Sequence, residues 1–324
     1  LMAGLGREQR FMLLPALIAL GILSGIVGLA QVIGPSSGPL YFYDITNNAS
    51  AVGLFANRNH QAALLACLFP MLAVYASINR RSDVRSQVKS ILCAGLALFI
   101  VPLILVTGSR AGLVLGFIGV LSAGLLYRRS PQQQYKRPAR KSIALQYALA
   151  GMAVIILVGT TVAMSRAEAF QRLLMQDENE GLRIQLLEPM WKLIQAYFPI
   201  GAGFGTFPDV YKVNEPFHLL SLAYVNHAHN DLLEFVLEGG VFSVAILVVW
   251  ITAFVLHAAR LRLAGRELGR SMLFGWLGAA IIVILGVASL VDYPLRVPSL
   301  SAVCVVALVW MSSAAGSGPR EMEA

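Results

Sequence analysis

Eight apolar runs, at roughly 11–33, 61–79, 88–106, 111–127, 144–164, 234–257, 272–291 and 297–313, constrain this chain more than any other feature, because a hydrocarbon core about 30 Å thick takes about 20 helical residues to cross. Inside a bilayer every backbone N–H and C=O must be satisfied within the protein, so runs of this length predict helices. Composition agrees: 57% of the 324 residues are hydrophobic and 13% are charged, against about 45–50% and about 25% in soluble domains. The predicted fold class is therefore an all-α integral membrane protein, a polytopic helical bundle of about eight transmembrane (TM) helices. It forms one domain over 1–324, with a long external loop at about 165–231 between TM helices 5 and 6. The first run is too long, and lacks the small-residue cleavage site, for a signal peptide.

Basic residues set the orientation. Arg7 and Arg10, then Arg80, Arg81, Arg85 and Lys89, then the run 128–141, then Arg260, Arg262, Arg266 and Arg270 fall in alternate connections, sixteen of the 25 basic residues. That side is expected to be cytoplasmic. The net charge of +8 is then mostly a topology signal with anionic lipid headgroups as neighbours, and no nucleic-acid partner is expected. Cys67, Cys93 and Cys304 sit inside apolar runs without CxxC spacing, so neither a disulfide framework nor a zinc knuckle is predicted.

The unusual polar residues gather on the opposite face. In "VTGSRAG" (106–112) Ser109 stands at an N-cap position and Arg110 enters the first helical turn. A cation against the positive end of a helix dipole makes sense where an anion binds, although Arg110 snorkelling to the headgroup layer is the plainer explanation. Gly112 and Gly116, at GxxxG spacing, point to close helix packing. Arg183 opens a stretch in which Ile184, Leu187, Trp191 and Ile194 recur at helical spacing, predicting an amphipathic helix at the interface whose charged end can reach a ligand. "PIGAGFGTF" (199–207) follows no strand and carries no Walker lysine, so its glycines predict a turn that passes close to a neighbour.

"NHAHNDLLEFVLEGG" (226–240) admits three readings. His227, His229 and Asp231 alternate and, with His218 or Glu234, suit a metal site. A histidine capping a helix, hydrogen-bonded to a carbonyl, is the plain alternative. The third is a general base, since imidazole titrates near neutrality and can take a proton from a hydroxyl. Asn230 or Asp231 is a candidate N-cap for the helix that follows.

The order "TGSRAG", an arginine ahead of a Trp-containing helix, "PIGAGFG", then "HAHNDLLEFVLEGGV", preceded by "GLFANRNHQAALLACLFPMLA" (53–73), resembles the O-antigen ligase and polymerase superfamily over about 11–313. The resemblance implies a membrane-embedded glycosyltransferase of the GT-C type that moves a glycan from undecaprenyl diphosphate to an acceptor hydroxyl on the periplasmic face of the bacterial inner membrane, with inversion and without a metal or other cofactor. It implies His229 as the catalytic base and Arg110 and Arg183 as diphosphate ligands. Arg58, Asn230 and Arg296 are possible accessory residues, and pairing with Asp292 is the plain explanation of Arg296. Expected partners are the lipid-linked donor, a lipid A core or other glycan or protein acceptor, and membrane lipids. A ligase is the leading expectation, ahead of a polymerase or a protein O-oligosaccharyltransferase. A polyprenyl-lipid transporter is the rival of a different class, and it would need polar residues near the bilayer midplane. The family usually carries more spanning helices, and this chain begins with Leu1, so an N-terminally truncated member is expected.

Overall fold

A computed structural model describes residues 4–35, 38–43, 50–78, 84–128, 178–220, 225–263 and 269–315. Every regular element among them is helical: α1 (Arg7–Ile33), α2 (Arg58–Ser77), α3 (Val84–Val106), α4 (Arg110–Leu126), α5 (Glu178–Tyr197), α6 (Phe207–Asn214), α7 (Asp231–Leu263), α8 (Arg270–Ala288) and α9 (Pro298–Ala315), with 3₁₀ turns at Phe217–Leu219 and Pro294–Arg296. By length and composition α1, α2, α3, α7 and α8 can each cross a membrane, and α4 and α9 are shorter apolar helices. These seven coincide with seven of the eight expected spans. The eighth, 144–164, lies outside the described residues.

Helix α2 is the centre of the bundle, buried along most of its length. It packs on α4, α3, α8 and α1. Close approach to α4 needs glycine, though in a different register from the expected one: a Cβ on Gly112 would come within 2.6 Å of the Ala62 methyl and one on Gly119 within 2.5 Å of the Ala66 carbonyl oxygen, whereas Gly116 faces Ile104 of α3. Residues seven apart, two helical turns, are what α4 lays against α2. Phe274 of α8 joins α1 and α9, stacking on Phe11 at 4.1 Å and meeting Trp310 edge-on at 5.2 Å.

The helices alternate in direction, which gives the bundle two chemically distinct ends. One end gathers basic residues: Arg10 donates to Ser313 at 2.7 Å, Arg270 pairs with Glu8 at 2.8 Å, and Lys89 donates to the Ile78 carbonyl. The other end holds the starts of α2, α4, α7 and α9 together with the Thr107–Ser109 tip. At that tip Ser109 caps α4 as its sequence position predicts, accepting from Gly112 N at 2.8 Å.

A second, smaller core lies at this latter end. Leu186, Met190, Leu193 and Ile194 of α5 pack with Phe207 and Tyr211 of α6 and Leu237 of α7. Of the expected stripe of α5, Ile194 is buried in this core, and Ile184, Leu187 and Trp191 are exposed on the helix surface. The helix thus carries apolar residues on two faces, one of which packs on α6 and α7. Helix α7 breaks direction at Gly240 (φ 54°, ψ −134°). Before the break it packs on α5, and beyond it large apolar side chains such as Phe242, Val248 and Val249 face outward, as lipid contact requires.

Candidate active site

The polar end is organised around one carboxylate. Asp292 follows α8, its amide donating to the Ala288 carbonyl at 3.0 Å, and is 2% exposed. Its Oδ2 accepts from Asn59 Nδ2 at 2.6 Å, Asn57 Nδ2 at 3.1 Å and Arg183 Nη2 at 3.3 Å. Its Oδ1 meets His229 Nδ1 at 3.2 Å and accepts from Tyr293 N at 3.0 Å. Burial alone would push this carboxyl up, but the hydrogen bond from His229 and the charge of Arg183 outweigh it and hold the group well below the usual carboxylate range.

Local sequence explains how each donor arrives. Asn57 is the N-cap of α2, its Oδ1 accepting from Asn59 N at 2.8 Å, which leaves its amide nitrogen for Asp292. Asn59 is used at both ends: Oδ1 accepts from Ser109 Oγ at 2.6 Å while Nδ2 donates to the carboxylate. Arg110, half-buried at the first position of α4, is thus one residue and two hydrogen bonds away from Asp292. Arg58 is buried between the two asparagines in sequence. Arg183 sits near the start of α5 with its Nη2 on Asp292 and its Nε buried without a hydrogen-bond partner among the described residues.

His229 has φ 51°, a left-handed conformation uncommon for a side-chain-bearing residue. The turn brings the chain into α7, where Asn230 provides the cap: its Oδ1 accepts from Leu233 N at 3.0 Å and its Nδ2 donates to the Leu290 carbonyl at 2.9 Å. Of the two expected capping candidates, Asn230 takes that role. Asp231 instead accepts from Ser289 Oγ at 2.8 Å and Leu295 N at 3.1 Å.

His227 and His229 part company. His227 Nδ1 lies 2.9 Å from Glu234 Oε1, a different carboxylate from the one that holds His229. Among the described residues no cluster of three or more His, Cys, Asp or Glu is placed to hold a metal ion, so the alternating ligands of the metal reading do not converge. Between the two histidines lies Tyr293, with ring centroids 4.3 Å from His227, 5.2 Å from His229 and 4.9 Å from His60. Burial, and then the charge of Asp292, push the Tyr293 hydroxyl up to about 12. His60 itself stands with Nε2 3.8 Å from Asp292 Oδ1.

Arg296 does not pair with Asp292, contrary to expectation. Its Nη2 lies 2.9 Å from Glu238 Oε2, Nη1 lies 3.2 Å from Glu234 Oε1 and Nε lies 3.6 Å from Asp231 Oδ1. These three acids are spaced i, i+3, i+7 and form one face of the first turns of α7. That spacing was visible in the sequence. Asp292, Asn57, Asn59, His60 and Tyr293 were missed as site residues. The "NRNH" string signalled three of them; nothing around "VDYP" distinguishes Asp292 from an ordinary loop acid.

A family model described as O-antigen ligase matches residues 96–248. The match takes in Arg110, Arg183 and His229 and stops short of Asp292, the carboxylate that gathers two of them. No curated protein matches the chain.

Proposed function

We propose, from the premise that this membrane protein belongs through residues 96–248 to the O-antigen ligase and polymerase superfamily, that it transfers a glycan from undecaprenyl diphosphate to an acceptor hydroxyl, most specifically as a ligase acting on lipid A core. The observation that carries the reading is the shared carboxylate: Asp292 takes His229 on one oxygen and Arg183 on the other.

With its Nδ1–H donated to Asp292, His229 keeps a lone pair on Nε2, the arrangement a general base needs. The acceptor oxygen bonds to the anomeric carbon from the face opposite the diphosphate as the bond to the diphosphate breaks, which inverts the configuration. The acceptor proton passes to His229 Nε2. Negative charge grows on the departing diphosphate, and Arg183 and Arg110 stabilise it, while Asp292 serves as counter-ion to Arg183 when no donor is bound. Asp292 is thus a positioning residue for both. Each of these roles needs only residues of the chain.

The placement of the polar end supports a periplasmic site. Arg10, Arg85, Lys89, Arg128, Arg260, Arg262 and Arg270 lie at or beside the opposite helix ends, the side that faces the cytoplasm by the positive-inside rule. Clustering of the polar groups at one face, away from mid-depth, favours chemistry at the surface over passage of a lipid through the bundle.

The test is a deletion strain complemented with wild type or His229→Ala, with surface polysaccharide analysed. Loss of transfer at unchanged membrane abundance is expected for the variant, and a normal rate would refute the base assignment. Long glycan left on its lipid carrier in the deletion strain identifies a ligase; acceptors capped with a single repeat identify a polymerase.

A further inference from the structure

The loop between α5 and α6 is built unlike a loop that faces water. Three of the seven residues from Phe198 to Phe204 are large and apolar, and all three are exposed: Phe198 at 50%, Ile200 at 80% and Phe204 at 65%. The residues between them offer no polar side chain. Four of the loop's six backbone N–H groups are meanwhile bonded within the protein. Phe198 N donates to Ile194 O at 2.9 Å, Gly201 N to Tyr197 O at 2.8 Å, Ala202 N to Leu237 O at 2.9 Å and Gly203 N to Glu238 O at 2.8 Å. Gly205 N donates to Glu238 Oε1 at 2.9 Å, and Pro199 has no N–H to satisfy. Irregular backbone enters hydrocarbon only where its polar groups are satisfied by protein.

The height of this loop relative to the membrane is fixed by covalent and hydrogen-bonded neighbours. Val241 N donates to Pro199 O at 2.8 Å, and Val241 opens the apolar stretch of α7 whose Phe242, Val248 and Val249 face outward. Phe204 lies against Phe235 of the same helix, ring centroids 5.7 Å apart. The loop is therefore fastened where the outward-facing apolar stretch of α7 begins.

We propose that Phe198–Phe204 is a wedge inserted into the bilayer leaflet on the side of the polar site, in contact with lipid acyl chains. Inserted apolar side chains gain by leaving water, and the internal backbone bonds reduce the usual penalty for placing a turn there. Through Glu238, which also holds Arg296, the wedge is joined to the acidic face of α7 beside the histidines.

Site-directed nitroxide labelling tests this in the full chain reconstituted into phosphatidylethanolamine–phosphatidylglycerol vesicles. The buried Cys67, Cys93 and Cys304 are replaced by alanine, and single labels are placed with Ile200→Cys and Phe204→Cys. Val249→Cys gives the lipid reference, and Lys192→Cys, at an exposed ion pair with Glu188, the aqueous one. Labels at both wedge positions should collide with oxygen in preference to a water-soluble nickel chelate, with a ratio several-fold above that at Lys192 and close to that at Val249. A ratio like that at Lys192 overturns the proposal, because the loop then faces water. Exclusion of both quenchers overturns it as well, because another protein surface then covers the loop. Ile200→Cys alone decides the matter if Phe204→Cys, which loses its ring contact, does not fold.

Discussion

His229 Nδ1 stands 3.2 Å from Asp292 Oδ1, and the imidazole reaches that position from a left-handed backbone at φ 51°. A strained residue persists only where its surroundings over-determine it. Here they do so from both sides: Asn230 fixes the start of α7, and Asp231 N donates to the Ser289 carbonyl at 3.0 Å. The carboxylate is equally fixed, by Asn57, Asn59, Arg183 and its own neighbour Tyr293. Imidazole and carboxylate therefore meet as two rigid parts.

Asp292→Asn should lower transfer by about 10² to 10⁴-fold, the range general-base catalysis contributes, because an amide no longer fixes the His229 tautomer or accepts from every donor. Membrane abundance is the control. Because Asp292 positions His229 and also holds Arg183, adding Asp292→Asn to His229→Ala should cost clearly less than Asp292→Asn costs alone. Independent, multiplicative losses in that double variant would show that Asp292 acts by another route.

The seven spans among the described residues were legible because the bilayer demands an uninterrupted apolar stretch, and a stretch of that length has few alternative conformations. The Ser109 cap and the close turn of "PIGAGFG" were legible for a similar local reason: each is dictated by residues within a few positions. The second apolar face of α5 was not, since Leu186, Met190 and Leu193 meet partners in α6 and α7 that are distant in sequence. The role of Asp292 was least accessible of all. Its donors come from positions 57, 59, 183 and 229, and no local pattern announces a residue whose environment is assembled from across the chain. The true partners of Arg296 lay in plain view as Asp231, Glu234 and Glu238 on one helical face.

Acid should expose the contribution of Asp292 to stability. Its folded-state pKa lies below the ordinary value, so the stabilisation it gives is fully present above the unfolded carboxylate pKa and is lost as pH falls through the folded value. Thermal denaturation of the solubilised protein should show no contribution from this group to pH dependence between about pH 5 and 8, and a falling limb below about pH 4. Asp292→Asn should make that limb shallower. An unchanged acid limb in the variant would mean that other carboxylates carry it.

Arg296→Ala should destabilise the fold rather than weaken donor binding. The variant would leave Asp231, Glu234 and Glu238 facing one another with side chains only 8%, 1% and 2% exposed, and removing one partner of a buried ionic group costs about 3–5 kcal/mol. Membrane abundance should drop, and combining the change with Glu238→Gln should restore part of it by removing one uncompensated charge. Normal abundance with a raised KM for the donor would instead make Arg296 a substrate ligand.

Gly240→Ala and Gly205→Ala separate two reasons for glycine. Both positions have positive φ, 54° and 78°, but among the described residues a Cβ at Gly205 meets nothing within 4 Å, whereas at Gly240 it would collide with the Pro199 carbonyl oxygen. That carbonyl accepts from Val241 N at 2.8 Å and so fastens the α5–α6 loop to the break in α7. Gly205→Ala should cost about 1–2 kcal/mol, the penalty of a left-handed conformation for a residue with a Cβ. Gly240→Ala should cost more, because alanine there must also push the loop away from the helix. The thermal stabilities of the two solubilised variants give the comparison. Equal losses would mean that conformation alone, and not the close approach of the loop, requires glycine at position 240.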